Sequence, residues 1–325
     1  MVIVILNWNG KHLLEQFLPS VVRYSSGVGL YVIDNASTDG SVLFLQEHYP
    51  QIKIVQNAEN YGYAKGYNEG LKHIPADVYC LINSDVEVTP HWLEAPMHIF
   101  AHEPQVSILQ PKIKSYKQKN YFEYAGAAGG YIDKYGFPYC RGRVFDTIEE
   151  DIGQYEEQTP IFWASGACFF IKASVFEHLG GFDEDFFAHQ EEIDLCWRAQ
   201  NEGYKVYYTP LSQIYHLGGA TLEQGSTQKV FLNFRNSLFM LLKNLPKGAW
   251  FSTIFLRMVL DGIAGIRFFF QGKPSYTWAI LRAHFAFYKY FFYFYHKRKN
   301  PMLKQYYSIK SIAYSYFIKN KKVGY

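Results

Sequence analysis

Between Gly180 and Arg198 the chain reads Gly-Gly-Phe-Asp-Glu-Asp-Phe-Phe-Ala-His-Gln-Glu-Glu-Ile-Asp-Leu-Cys-Trp-Arg, so six carboxylates (Asp183, Glu184, Asp185, Glu191, Glu192, Asp194) and His189 sit among large aromatics. Like charges this close repel, and partial burial beside Phe186, Phe187 and Trp197 raises carboxyl pKa values toward that of a working general base. Acids also gather in the first turn of a helix to complement its dipole, and Glu191, Glu192 and Asp194 precede a helical run from Leu195 to Glu202. Taken alone, the segment fits either use.

A second acidic element stands far upstream, where the apolar run Val78 to Ile82 ends in Asn83-Ser84-Asp85. Ligands of open α/β sheets bind beyond the carboxyl ends of the strands, which is where Asp85 falls; an ordinary strand-to-helix turn is the plainer alternative. Thr89-Pro90 is expected to cap and start the next helix. Two further strand ends, Asn7-Trp8-Asn9-Gly10 and Asp34-Asn35-Ala36-Ser37-Thr38-Asp39-Gly40, suit a nucleotide pocket in which Trp8 stacks on a base and Asp34 accepts its N–H. Asn-Gly and Asp-Gly are also plain turn formers, and Asp39 is placed to cap a helix. Gly62, Gly66 and Gly70 do not form GxGxxG and no GxxxxGK[ST] loop exists, which disfavours dinucleotide and P-loop chemistry.

The elements needed to position these residues alternate: strands at 2–6, 30–33, 52–56 and 78–82, and helices at 13–24, 41–48 and 64–73. This rhythm predicts βαβ units and a mostly parallel sheet. Strand-like runs at 106–113 and 167–171, a Gly- and Tyr-rich stretch at 121–143 and a helix at 173–179 predict mixed strands and long loops shaping a substrate cleft.

A chain of 325 residues with 49% hydrophobic and 19% aromatic content accommodates one catalytic domain and an appendage. Cys80, Cys140, Cys168 and Cys196 lack CxxC or zinc-ligand spacing and read as reduced, packed residues of a cytosolic protein. The first strand begins at Val2 with no signal-peptide pattern before it, so secretion by that route is not expected. The net charge of +3 hides a split: 15 Lys and Arg against 28 Asp and Glu up to Gly225, then 17 against 1. The expected boundary is therefore at Gly225-Ser226, with residues 1–225 catalytic and residues 226–325 a basic, aromatic-rich helical extension drawn to something anionic.

The blocks Val4 to Gly10, Val32 to Ser41, Asn60 to Asn68, Asn83 to Asp85 and Gly180 to Arg198, in this order and spacing, resemble family 2 glycosyltransferases over roughly Val2 to Leu222, most closely the rhamnosyltransferase-like members. The resemblance implies the GT-A fold, a Rossmann-like, mostly parallel α/β sheet binding a nucleotide-diphosphate sugar, here with a C-terminal mainly helical extension. It implies inverting transfer, in which an acceptor hydroxyl attacks the anomeric carbon opposite the leaving diphosphate with one general base. Carried over, Trp8 flanks the base, Asp34 binds nucleobase or ribose, and Gly66, Asn68 and Asn83 lie along the nucleotide-sugar. Asp85 takes the place of the metal-binding carboxylate of a DxD element whose first Asp is here Asn83. A divalent cation, Mn²⁺ or Mg²⁺, shared by Asp85 and the diphosphate fits that chemistry, and His216 matches a His that completes metal coordination. The family pattern has Glu-Asp where this chain has Glu191-Glu192; Glu192 is the expected base and Glu191 its rival. Trp163 and Gly166 resemble an acceptor-side loop in which the aromatic stacks on a sugar, and Asp194 and Arg198 fall on the same side.

The tail interleaves Phe and Tyr with Lys and Arg. Residues 249–270 are long enough to span a bilayer, but Arg257, Asp261 and Arg267 would enter the hydrocarbon, so amphipathic helices on an anionic leaflet are expected. A buried helical subdomain or oligomer interface is the competing reading; nucleic-acid binding lacks any accompanying motif. Such docking makes the protein cytoplasmic and peripheral to the inner face of the cell membrane, meeting a lipid-linked saccharide acceptor in cell-surface polysaccharide assembly. No QxxRW element is present, so single-sugar addition is expected. The alternatives are a sugar-1-phosphate nucleotidyltransferase, which needs a glycine-rich loop with Arg and Lys that Asn7 to Lys11 lacks, and a noncatalytic glycan- or membrane-binding protein.

Overall fold

The computed structural model describes residues 1–218, 226–299 and 303–324; Gly219, Leu222 and Gly225, which the expectations above touch, lie outside the described residues. Strands β1 (Val2–Asn7), β2 (Gly29–Asp34), β3 (Lys53–Gln56) and β4 (Val78–Asn83) pair in parallel in the spatial order β3-β2-β1-β4. Helices α1 (Lys11–Tyr24), α2 (Ser41–His48) and α3 (Gly62–Leu71) are the crossovers. In α1 the buried residues Leu13, Leu14, Phe17, Leu18 and Val21 recur at helical spacing, so a single stripe meets the sheet. Helix α3 lies close to its strands: a Cβ on Gly70 would fall 2.4 Å from Ile33 Cδ1, and one on Gly66 2.7 Å from Asn35 Nδ2. Gly66, expected along the nucleotide-sugar, is buried and serves this packing instead.

Next come β5 (Val86–Val88), α4 (Glu94–His102) and β6 (Val106–Ser115). The helix expected at Thr89-Pro90 starts only at Glu94, because Thr89 Oγ1 donates to Gln213 O (2.7 Å) and is not free to cap. The Gly- and Tyr-rich stretch folds into a small antiparallel sheet of β7 (Gly130–Ile132), β8 (Pro138–Cys140), β9 (Arg143–Val144) and β10 (Thr147–Ile148). Strands β11 (Thr159–Pro160) and β12 (Cys168–Lys172), helices α5 (Ala173–His178) and α6 (Glu191–Asn201) and the long strand β13 (Lys205–His216) follow. The main sheet has the order β11-β13-β6-β12-β4-β1-β2-β3, with β5 on β13; β12 runs antiparallel between β4 and β6, and β13 is parallel to β6. All four cysteines are free and buried.

The tail is helical: α7 (Thr227–Asn244), α8 (Trp250–Phe270), α9 (Pro274–His296) and α10 (Ile312–Phe317). The charge boundary is not a packing boundary, however. Leu238 to Leu242 and Leu245 belong to one buried cluster with Val4, Tyr79, Phe169 and Trp197 of the N-terminal part. Ile254 of α8, Phe287 and Phe294 of α9 and Tyr306 belong to the same cluster, so the tail packs onto the N-terminal part along much of its length. In α8, Arg257 turns inward, with Nε 2.7 Å from Asp261 Oδ1 and Nη1 2.9 Å from Gly136 O. Among the described residues no helix is long and apolar enough to cross a membrane.

Electrostatics join the two parts as firmly as apolar packing does. Lys243 Nζ of α7 lies 2.5 Å from Asp183 and 2.9 Å from Asp194, which has no exposed surface. Burial would raise Asp183, but Lys243 and Lys297 hold it at about 2; burial of Asp194 is likewise outweighed by Lys243 and Arg198, which keep it below the usual range. Breaking a buried pair strands its partner, so Lys243→Ala is expected to lower the unfolding free energy by about 3 kcal/mol in urea titrations at pH 7. Both carboxyls are depressed, so this stabilisation is complete above about pH 4 and is lost as the pH falls toward 2. The gap between wild type and variant should close over that window.

Candidate active site

The ends of β2, β1 and β4 stand side by side, with Asn7 opposite Asp34 and Leu6 opposite Asn83. Asp34 is 1% exposed; its Oδ1 accepts from Asn7 Nδ2 (3.1 Å) and its Oδ2 from Ser37 N (2.9 Å). The two carboxylate oxygens thus anchor the loop that follows the strand to Asn7 at the end of β1. Asn9 Oδ1 accepts from Thr38 N (2.7 Å), and Asp39 accepts from Lys11 N (2.8 Å) and Ser41 N (3.0 Å), so the two strand-end loops are laced together. Trp8 stands at their tip, 49% exposed.

Beyond β4 lies a cleft of about 200 Å³, onto which the structure brings Asn83, Asp85, Gly166, Glu191, Glu192 and His216 from four separate stretches of chain. Glu123, His189 and Lys229 also line it. Pairing of β13 with β5 sets His216 opposite Val86, next to Asp85. The imidazole is held between two carboxylates, Nε2 3.1 Å from Asp85 Oδ1 and Nδ1 3.4 Å from Glu123 Oε1. Burial pushes the His216 pKa down, but Glu123 and Asp85 override it and raise it to about 10. Burial raises Asp85, yet the imidazolium beside it keeps the carboxyl below its usual value. Among the described residues no group of three or more His, Cys, Asp or Glu side chains is arranged to hold a metal ion. Asp85 supplies one hard oxygen and His216, once a cation displaces its proton, one imidazole nitrogen, a donor pair that suits Mn²⁺ or Mg²⁺ if a ligand brings the remaining oxygens.

The other wall is the start of α6. Glu191 is buried and Glu192 half-buried, and Oε2 of each is enclosed without a hydrogen-bond partner. Burial raises Glu192 to about 7, against backbone donors that lower it; burial and the neighbouring Glu192 push Glu191 well above the carboxylate range. Two adjacent desolvated carboxyls do not ionise together readily, so the pair holds one proton to higher pH than the other. Gly166 gives room here, since a Cβ would come within 3.1 Å of Tyr63 Oη and 3.9 Å of Glu192 Cδ.

Four expected site residues lie elsewhere. Trp163 is 4% exposed, its indole N–H donates to Tyr131 O (2.8 Å), and a Cβ on Gly130 would fall 2.1 Å from its ring, so no face is open to a sugar. Asn68 clamps the backbone of Phe182, donating to its O and accepting from its N (both 2.9 Å), and does not line the cleft. Asp194 is held by Lys243, Arg198 and Asn244, and Arg198 donates to Leu179 O (2.8 Å) and Gly181 O (2.7 Å); both residues lock the acidic segment and do not reach an acceptor. Sequence reasoning missed Glu123, buried in a Gly- and Tyr-rich loop with no periodic signal. It also missed Lys229, which the charge split had grouped with the tail.

A profile for "Glycosyl transferase family 2" matches residues 2–180, more than half of the chain. The chain is 23% identical over 273 residues to an N-acetylglucosaminyl-diphospho-decaprenol L-rhamnosyltransferase of Mycobacterium tuberculosis, covering 79% of this chain and 88% of that protein. Among solved structures it is similar to a mannosyltransferase from Pyrobaculum calidifontis in complex with GDP-Man and Mn²⁺, with a TM-score of 0.52, 15% identity and coverage of 89% and 86%. GalNAc-T7 with UDP, GalNAc and Mn²⁺ superimposes with a TM-score of 0.59 and 15% identity over 76% of this chain, which spans about half (48%) of that protein.

Because Trp163 is a packed residue whose indole N–H has a single partner, Trp163→Phe is expected to cost about 1–3 kcal/mol of stability in urea titrations. Calorimetric affinities of ligands for the cleft should stay unchanged, whereas a sugar platform would lose them.

Proposed function

We infer, from the premise that the chain belongs to glycosyl transferase family 2, that Glu192 is the general base of an inverting transfer from a nucleotide-diphosphate sugar to a saccharide hydroxyl. The observation that carries this reading is that Asp85 and His216 on one wall and Glu192 on the other share one cleft. Trp8 and the laced loops of β1 and β2 form the rim for the nucleotide, with Asn83 beneath the donor. Asp85 and His216 would hold a divalent cation, which when bound supplies positive charge to the leaving diphosphate. On the acceptor side, Glu192 Oε2 takes the hydroxyl proton while the oxygen bonds to the anomeric carbon and the bond to the diphosphate breaks on the opposite face. With its pKa near 7, Glu192 is ionised enough at neutral pH to receive that proton, and burial lifts Glu191 further than Glu192, which favours Glu192 over its neighbour.

The name of the mycobacterial relative supports a lipid-diphosphate-linked saccharide as acceptor, and such an acceptor fits the assembly of a surface polysaccharide. Two stripes on the tail support docking on the cytoplasmic leaflet. On α8, Phe251, Phe255, Val259, Ile263, Ile266 and Phe270 are 47–83% exposed; on α9, Trp278, Leu281, Phe285, Tyr288 and Phe292 are 45–74% exposed. Both recur every three or four residues, and the exposed Lys273, Arg282 and Lys289 accompany them, which matches an anionic interface.

Glu192→Gln is expected to lower kcat by about 10²–10⁴-fold in transfer from a panel of UDP-, dTDP- and GDP-sugars to N-acetylglucosaminyl-diphospho-polyprenol with Mn²⁺. Normal turnover by the folded variant removes Glu192 from its role. Only the ionised base accepts a proton, so wild-type turnover should rise with pH through about 7 and level off above it. EDTA should abolish turnover and Mn²⁺ restore it. Pyrophosphate release from a nucleoside triphosphate would favour a nucleotidyltransferase, and a silent panel a noncatalytic binding protein.

Docking is tested separately by flotation with vesicles. The wild-type chain should float with phosphatidylglycerol-containing vesicles and less with pure phosphatidylcholine, and Phe255→Glu with Phe285→Glu should abolish flotation; equal flotation of the double variant would remove the docking face.

A further inference from the structure

The loop that delivers the two glutamates is strained. Phe187 (φ 63°), His189 (φ 70°) and Gln190 (φ 74°) all adopt left-handed backbone although none is glycine, and Glu191 opens α6 directly after them. Such conformations persist only where surroundings over-determine them. They also turn backbone carbonyls inward; Phe186 O meets a donor within the loop, Ala188 N (2.7 Å), and the others look outside it.

The donor comes from the tail. Asn236 of α7 has no exposed surface, and its Nδ2 lies 3.0 Å from Phe186 O, 2.9 Å from Ala188 O and 2.8 Å from His189 O. Two amide hydrogens thus serve three carbonyls. The amide is itself fixed, because Oδ1 accepts from Arg235 Nε (2.8 Å), and Arg235 Nη2 adds bonds to Asp185 O (3.2 Å) and Phe186 O (3.3 Å). One turn earlier, Asn233 Oδ1 accepts from Gln190 Nε2 (3.3 Å). Asn233, Asn236 and Lys243 recur at helical spacing, so one face of α7 grips the segment from 183 to 194. Its seating is backed by α9, where the Phe294 ring stacks on Phe239 with centroids 3.7 Å apart.

We propose that Asn236 is a positioning residue for the transfer reaction, holding the 186–190 loop in its left-handed form so that the first turn of α6 points Glu191 and Glu192 into the cleft. The inference rests on the functional reading above for the role of those carboxylates, but not for the hold on the loop. Without the amide, Ala188 O and His189 O lose the donor they share, while Phe186 O keeps Ala188 N and Arg235 Nη2; the loop relaxes toward ordinary backbone and the helix start moves with it. Ala188 and His189 line the cleft with Asp85, but Trp8 and the laced loops of β1 and β2 that rim the nucleotide lie outside it, so the loss falls on turnover more than on donor affinity.

The test uses the full chain carrying Asn236→Ala, and Asn236→Ser as the variant that keeps one donor. Hydrogen exchange, read without substrate, should quicken by about tenfold or more at amides 186–192 while α1 and α9 stay as in wild type. With Mn²⁺ and the sugar nucleotide that the wild type turns over, kcat should fall by about 100-fold, with donor KM within about threefold and Asn236→Ser in between. If Asn236→Ala does not fold, the serine variant carries the same split at smaller amplitude. Unchanged exchange at 186–192, exchange raised evenly across the chain, or kcat per donor-binding site equal to wild type each overturn the proposal. A wild-type protein inactive toward the whole panel overturns the functional reading instead, and the exchange arm still decides whether Asn236 holds the loop.

Discussion

A carboxylate without exposed surface stays ionised only if cations or donors are built around it, and the contact between Asp194 and Lys243 meets that demand here. Asp194 sits one turn beyond the two glutamates and receives Lys243, Arg198 and Asn244, two of them from α7. Asp183, at the other end of the acidic segment, takes Lys243 and Lys297. The segment is therefore stapled at both ends to the C-terminal helices. The glutamates between the staples are left without counter-charges, and that contrast separates ionised structural acids from protonatable ones within a dozen residues.

The same division runs across the cleft. On the strand side, an imidazolium between two carboxylates offsets half of their charge and holds the Asp85 carboxyl below its usual value. On the helix side, desolvation dominates because nothing positive is near enough to oppose it, and the glutamates rise. One wall thus presents a polar, proton-rich cluster and the other a carboxyl able to gain or lose a proton near neutrality. That arrangement is what separating a leaving group from an entering hydroxyl requires.

Much of this was legible in the chain. Local period and turn residues located the βαβ half: 41–48 was read with the observed bounds, and the other strands and helices of that half within a few residues. Strand-end position singles out Asp85, and the family resemblance singles out His216, Gly166 and the glutamates; the fold brings all of them onto one cleft. Which way a side chain faces was not legible in the chain, because tertiary partners decide it. Trp163, Asn68, Asp194 and Arg198 carry plausible ligand chemistry, but tertiary partners from β7, the 182 backbone and α7 claim them. Glu123 and Asn236 carried no local signal, since a loop Glu and an Asn in an apolar helix gain meaning only from what they touch. Charge changes sign at Ser226, but packing does not follow it: apolar burial continues through Leu245 to Ile254, Phe287, Phe294 and Tyr306.

Strand β13 breaks register between Thr209 and Gln213, which pair with adjacent residues of β6, so three residues are extra on one side of the ladder. Side chains in a strand alternate with period two, and an odd surplus exchanges the faces on either side of it. The spacer 210–212 thereby acts as a phase shifter whose length, more than its composition, determines that the imidazole of His216 emerges on the same side as Asp85. Adding or deleting one residue there would preserve every amino acid of the cleft and still invert it, a failure that no comparison of motif letters would detect.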